Sequence, residues 1–449
     1  MQGLRAISTA LAAGETSAQE LVENALQRAR RSQSVFTAIN EGLPSLAASI
    51  DEMRRRRDTP APLAGIPIVL KDLFNLRNEI TLAGSVVRRH YARPEAEDAA
   101  VVAPLRSAGL LFLGRTNMSE FAFSGIGRNP HYGTPRSIWD RDTGRLPGGS
   151  SSGSAVAVAE GIVCASLGSD TAGSCRIPAA FNGVVGVKPS FGRMSLEGIF
   201  PLSPTLDAPG PIAIDVDSCY LLDQLMCGAA RPDGELPRLA AAEPAQIRLA
   251  IPQSRVMEAL DAEVEAAFAR AIETLEAAGV AISRVPLPVL DRCDDFFIER
   301  PVVVREVWDF HREMLEQHLD EYDPFVGHRM SAGRDIDDDE QQSRYAERAW
   351  LVADFESSFG ALQVDALVYP TVACVPPPIA DTEDAEQARQ VNLRCLRNTA
   401  TVNYFDGCAI SLPCHKPGDA PVGLMLAAAN GADDHLYRLA ATVEATLAR

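Results

Sequence analysis

The chain has 449 residues, and 42 Lys+Arg against 60 Asp+Glu leave a formal net charge of −18 at pH 7. With 46% hydrophobic and 23% charged residues it has the composition of a folded globular protein, long enough for one large domain or up to about three average ones, which excludes disorder and collagen-like repeats. The surplus of acid repels phosphate backbones and anionic headgroups, so neither nucleic acid nor a membrane is expected as a direct partner.

From the N-terminus, Leu4, Ile7 and Leu11 fall at helical spacing and stop at Gly14. Ser17-Ala18-Gln19-Glu20 then has the form of a capping box ahead of the apolar face Leu21, Val22, Ala25 and Leu26. Two short amphipathic helices therefore open the chain, without the cationic start and unbroken apolar stretch of a signal peptide. The densest basic run, Arg54 to Arg57, reads as a loop or helix end rather than a binding patch. Ile66 to Leu70 predicts a buried strand, Asp98 to Ala108 a helix closed by Gly109, and Leu110 to Leu113 a second strand.

This βαβ pattern recurs as a helix over Ser152 to Glu160 and a strand over Ile162 to Leu167. It recurs again as strand Ile247 to Ile251, helix Ala262 to Ala278 and strand Val280 to Val285. The stretch Gly228 to Pro244 reads as a surface loop, because the same kinds of element continue on both sides of it. Residues 291–356 are polar and charged at helical spacing, and predict a helical insertion or lid. Strands near Ala366 to Tyr369, Ala409 to Leu412 and Gly423 to Leu426 and a helix from Asp433 complete the chain. The expected fold is a single α/β domain over 1–449, with a largely parallel or mixed sheet.

The nine cysteines form no CxxC pair and no Cys/His cluster with zinc-ligand spacing, and the acidic run Asp335 to Glu340 lacks the oxygen spacing of a calcium loop. Neither a metal nor a cofactor is expected. Cysteines in apolar runs, such as Cys164, Cys219 and Cys408, read as buried free thiols and fit a reducing cytoplasm. No stretch of about 18 uninterrupted apolar residues suggests a membrane span.

Two Ser/Gly-rich segments stand out, Pro147 to Ser154 and Leu167 to Ser174. A flexible linker would not be embedded between core elements. A phosphate loop needs Gly-Lys-Ser/Thr, whereas Gly153 is followed by Ser154. Gly149-Ser150-Ser151-Ser152-Gly153 formally satisfies the nucleophile-elbow pattern, but no strand precedes it and none of the seven histidines has a distinctive setting. A fourth reading joins these serines to a lysine. Only three of the 42 basic residues are lysines, Lys71, Lys188 and Lys416. Lys71 ends an apolar strand, where burial lowers the pKa and makes the amine a usable base unless a carboxylate such as Asp72 pairs with it.

With these segments the whole sequence resembles the amidase signature family. The resemblance rests on Gly65-Ile66-Pro67 through Lys71-Asp72, Gly114 to Phe121, Pro147 to Ser154, Leu167 to Pro178, Gly186 to Ser190, Ile410 to Cys414 and Pro421 to Leu424. It implies a twisted mixed sheet covered by helices and a Ser–cis-Ser–Lys triad, with Ser174 as nucleophile, Ser150 as the bridging serine in a cis peptide and Lys71 as base. It also implies an oxyanion hole from the N–H groups of Thr171, Ala172, Gly173 and Ser174. Ala172 and Cys175 depart from the commonest family spelling. Asp170 and Arg176 read as a loop-fixing ion pair, Lys188 as architectural and Lys416 as solvated.

The implied reaction is hydrolysis of a small carboxamide through an acyl-serine. The alternatives are the glutamine-hydrolysing component of a tRNA-dependent amidotransferase and a non-catalytic binding protein on the same fold. Candidate substrate contacts are Met118 and Gly125 in a wall over 118–127, Ser151, and the pair Arg394 and Arg397. Those two stand where the amidotransferase component uses an acid to hold the glutamine amino group, and would suit a carboxylate-bearing amide. A homodimer or a small accessory protein partner is left open.

Overall fold

A computed structural model describes residues 1–56, 58 and 60–448. Eleven strands, β1 (Phe36–Ile39), β2 (Pro67–Lys71), β3 (Leu111–Thr116), β4 (Ala165–Ser169), β5 (Val185–Lys188), β6 (Pro209–Ala213), β7 (Arg248–Gln253), β8 (Ala281–Pro286), β9 (Ala366–Pro370), β10 (Cys408–Pro413) and β11 (Gly423–Ala428), form one sheet. Its order is β1-β3-β2-β4-β6-β5-β10-β11-β9-β7-β8. The β2/β3, β2/β4, β7/β8 and β7/β9 pairs are parallel and the rest antiparallel, so the sheet is mixed. Helices cover it, and most central strands are buried along their whole length, as their near-continuous apolar runs require.

Most predicted elements fall within a few residues of their place. The opening helices are Leu4–Ala13 and Ala18–Ala29, the second capped by Ser17, whose Oγ accepts the Glu20 N–H at 3.1 Å. The Arg54 end of the basic run belongs to the helix Leu43–Arg55, while Arg57 lies outside the described residues. The helix expected over Asp98 to Ala108 is only Ala103–Ser107. Pro104 is the reason, since its ring would meet the carbonyl four residues back and it has no N–H to give to an earlier turn.

Strand β6 escapes a reading by pattern because Pro209 and Pro211 argue against a central strand. The structure accommodates them because β5 pairs with β6 only at Ala213 and Ile212, beyond both prolines. The helix Ala385–Tyr404 was likewise not expected, although Asp384 caps it by accepting from the Glu386 and Gln387 N–H groups.

The polar region is helical, as expected: Val289–Glu299, Val302–His318, Pro324–Ser331 and Asp338–Leu362. Its acidic run starts the last of these, where Asp337 accepts the Glu340 N–H and Asp338, Asp339 and Glu340 fill the first turn, favourable positions for negative charge at a helix N-terminus. Among the described residues no helix is long and apolar enough to cross a membrane, and all nine cysteines are free, seven of them buried.

Candidate active site

Strands β2 and β4 run parallel and in register, Val69 opposite Ser166 and Leu70 opposite Leu167, so their C-terminal residues Lys71 and Ser169 end side by side. Catalytic groups collect at such strand ends in α/β sheets. Lys71 is fully buried and donates to Ser150 Oγ at 2.6 Å and to Ser169 Oγ at 2.8 Å. Burial lowers its pKa to about 8, against the opposing pull of the Asp207 and Asp170 carboxylates. Its neighbour Asp72 is not its partner: that carboxylate faces Arg115 at 3.4 Å, and burial raises its pKa to about 6.

Ser150 follows a cis peptide bond at Gly149, immediately ahead of the helix Ser152–Ala159. Main-chain bonds hold this segment on three sides: Gly149 N–H to Gly125 O at 2.8 Å, Ser119 N–H to Ser150 O at 3.1 Å, and Ser151 N–H to Ser174 O at 3.2 Å. The last bond joins the two Ser/Gly-rich segments and sets Ser174 beside the Ser150 loop. Ser174 is buried at the wall of a cavity, and its hydroxyl has no hydrogen-bond partner among the described residues.

The turn carrying Ser174 closes on Asp170. One carboxylate oxygen accepts the Gly173 N–H at 2.8 Å and the other the Cys175 N–H at 3.1 Å, while Arg176 grips both from 2.9 and 3.0 Å. Burial alone pushes the Asp170 carboxyl up, but Arg176 outweighs it and holds the pKa at about 2. Gly173 adopts φ +125°, and a Cβ there would lie 2.1 Å from Thr399 Oγ1, so glycine is required on both counts. The Thr171 hydroxyl donates to Asp207 at 2.5 Å, and Asp207 also accepts the Leu202 and Ser203 N–H groups. These bonds leave the N–H groups of Thr171, Ala172 and Ser174 without partners among the described residues, whereas that of Gly173 is turned back to Asp170.

A cavity of about 270 Å³ opens over this turn. Its walls come from Ala122 to Gly125, from Thr171, Ala172 and Ser174, and from the helical region, including Phe297, Val303, Val304 and Arg329. The expected wall over 118–127 and the 291–356 region thus do meet at the site. Of the expected substrate contacts, Gly125 lines the cavity and four others do not. Met118 is buried beneath the wall, where its carbonyl accepts from Asn129 at 2.8 Å. Ser151 is spent on β4, its hydroxyl donating to Ser169 O at 3.3 Å. Arg394 pairs with Asp261 at 2.6 Å, and Arg397 donates to Glu258 O at 2.6 Å. Both arginines reach to the 258–261 loop, and this helix lines the cavity with Arg389, Asn392, Leu393 and Leu396 instead.

Of the other two lysines, Lys188 is buried and donates to Pro189 O and Gly407 O, an architectural role, and Lys416 is exposed. Ser169, Arg329 and Asn392 are among the site residues that carried no role in the sequence reading. Ser169 stands inside a motif that pointed to the site. Arg329 and Asn392 belong to helices whose local pattern carries no chemistry.

The sequence matches the family described as Amidase over residues 20–437. The chain belongs to the amidase family. It is 33% identical over 409 residues to 2-amino-5-chloromuconic acid deaminase of Comamonas testosteroni, covering 90% of this chain and 86% of that protein. It is 31% identical to a glutamyl-tRNA(Gln) amidotransferase subunit from Symbiobacterium thermophilum, over 95% of this chain and 93% of that one. A crystal structure of an amidase superposes with a TM-score of 0.88 at 33% identity, covering 99% of both chains.

Proposed function

We propose that this amidase hydrolyses a small carboxamide to the acid and ammonia or an amine through an acyl-Ser174 intermediate, with Lys71 as base and Ser150 as the proton carrier between them. The observation that carries it is the 2.6 Å contact between a fully buried Lys71 and Ser150 beside the unpartnered Ser174 hydroxyl. With its pKa near 8, about one Lys71 in ten is neutral at pH 7. Neutral Lys71 accepts the Ser150 proton along that contact while keeping an N–H on Ser169.

As Ser174 Oγ forms its bond to the amide carbon, its proton passes to Ser150 Oγ and the Ser150 proton to Lys71 Nζ. When the carbon–nitrogen bond breaks, Ser150 gives its proton to the departing amine and recovers one from Lys71. Water then attacks the acyl carbon by the same route, and Ser174 regains its proton as the acid leaves. The developing oxyanion is met by the free N–H groups of Thr171, Ala172 and Ser174, with Gly173 acting through the turn it allows. Losing one such donor typically costs about 2.7–4 kcal/mol of transition-state stabilisation.

The free thiols fit a cytoplasmic enzyme, and the net charge of −18 fits a small-molecule substrate rather than nucleic acid. No acidic side chain lines the cavity among the described residues, which leaves nothing to hold the amino group of glutamine and weighs against the amidotransferase reading. The test is ammonia release across neutral, aromatic and carboxylate-bearing amides with Ser174→Ala as blank. Release that persists in the variant refutes the mechanism.

A further inference from the structure

Resting on that reading, we infer that Asp207 is a positioning residue for the oxyanion hole: it holds Thr171 by the side chain and so aims the Thr171 and Ala172 N–H groups at the carbonyl under attack. The nucleophile turn is anchored on either side of Thr171. Before it, Asp170 N–H donates to Ala208 O at 2.7 Å and Ala208 N–H to Asp170 O at 3.2 Å. After it, Ala172 O accepts the Thr399 hydroxyl at 2.7 Å, and the Asp170 carboxylate takes the Gly173 and Cys175 N–H groups. Thr171 itself has neither N–H nor carbonyl bonded among the described residues, and its hydrogen bond there is the 2.5 Å donation from Oγ1 to Asp207 Oδ1. The planar peptides carrying the Thr171 and Ala172 N–H groups meet at the Thr171 Cα. Both N–H groups must stay free for the oxyanion, so the side chain is what remains to fix that junction.

Asp207 is well held for that task. Its other carboxylate oxygen accepts the Leu202 N–H at 2.9 Å and the Ser203 N–H at 3.0 Å, so backbone sets its orientation independently of Thr171. Burial raises its pKa to about 6 against the pull of these three donors. It is therefore an anion at neutral pH, and the bond from Thr171 is charge-assisted. The loop that carries it is pinned from the roof, where Glu306 on the helix Val302–His318 accepts the Ser203 and Thr205 hydroxyls. Leu202 and Leu206 of the same loop line the cavity beside Thr171 and Ala172. The 202–207 loop thus joins the roof, the cavity wall and the oxyanion hole. Closing the loop needs only the Leu202 and Ser203 N–H groups; the bond to Thr171 ties Asp207 to the reacting centre.

The experiment measures kcat and KM for ammonia release from the fastest amide of the neutral, aromatic and carboxylate-bearing panel, with kcat referred to the fraction of protein that a fluorophosphonate labels at the end point. Thr171→Val removes the hydroxyl while keeping the branched shape and the N–H. It should lower kcat about 10–100-fold with KM within about threefold, as expected of groups displaced only from the transition state. Thr171→Ser, which keeps the hydroxyl, should recover most of that loss. Asp207→Asn keeps an oxygen for the Leu202 and Ser203 N–H groups but turns an NH2 toward Thr171, and should lower kcat in the same way. Because both act through one contact, the double variant should be no slower than the slower single one. Either single variant carries the test if the other fails to fold. The rate of fluorophosphonate labelling at Ser174, whose phosphoryl oxygen enters the same hole, should fall with kcat and reads the hole independently of amide turnover. Losses that multiply in the double variant, a loss confined to KM, or Thr171→Val protein labelled as fast as wild type overturns the role of Asp207 and leaves the acyl-serine reading standing. Wild type that is not labelled at Ser174 removes that reading, and the inference with it.

Discussion

The two sides of the cavity are built on different principles. The floor, from β2 through the turn after β4, places its groups by main-chain closure. Parallel strand register sets Lys71 beside Ser169, and backbone bonds clamp Gly149 to Ser151 against Gly125, Ser119 and Ser174. The roof, from Val289 to Leu362, is placed by side chains. Two buried carboxylates pin it: Glu306 accepts from Ser203, Thr205 and Tyr345, and Glu120 accepts from Ser85, from His131 and from the Asp323 N–H at 2.6 Å. Many of its other ion pairs, such as Arg292–Asp354 and Arg300–Glu347, are partly solvent-exposed and worth little. A floor fixed by backbone suits chemistry that tolerates little displacement. A roof fixed by a few side chains suits recognition, which can change with single residues.

The largest effects should come from the floor. Ser174→Ala should lower ammonia release at least about 10³-fold, and Lys71→Met by about 10²–10⁴-fold, both measured as kcat on the preferred amide. With neutral Lys71 as the proposed base, wild-type kcat/KM should rise with pH and level off above about 8, the value to which burial lowers Lys71. Below that it should fall tenfold per unit as Lys71 protonates, and a profile flat from pH 6 to 9 would remove Lys71 from the rate equation.

Asp170→Asn leaves Arg176 buried beside a neutral partner and should cost about 3–5 kcal/mol in urea unfolding. Glu306→Gln turns a donor on one of three hydroxyls and should cost less, about 1–3 kcal/mol. A larger loss for Glu306→Gln than for Asp170→Asn would reverse the contrast between floor and roof. Smallest of all, Arg394→Ala and Arg397→Ala, which face the 258–261 loop, should keep kcat/KM on anionic amides within about twofold.

The same contrast explains what the sequence disclosed. Lys71 and the two Ser/Gly-rich segments were legible because a lysine ending an apolar strand in a chain with three lysines, and glycines packed among hydroxyls, are unusual and local, whereas the choice of Ser150 and Ser174 within those segments came from the family resemblance. The Asp170–Arg176 pair was legible for the same reason, since both ends lie on one short turn. Arg329 and Asn392 were not, because each looks like any polar residue on an amphipathic helix until tertiary packing turns it toward the cavity. Arg394 and Arg397 stood out beside them for charge alone, and their side chains are taken up by Asp261 and the Glu258 carbonyl. Strand β6 was hidden by its two prolines, whose cost disappears only when the two-residue pairing with β5 is known.

The account's central claim is that Ser174 carries the acyl group. A fluorophosphonate probe followed by intact-mass measurement and peptide mapping tests it directly. A single adduct on the peptide containing Ser174, absent from Ser174→Ala protein, is the predicted result; an adduct that persists in that variant, or maps to Ser150 or another residue, contradicts it.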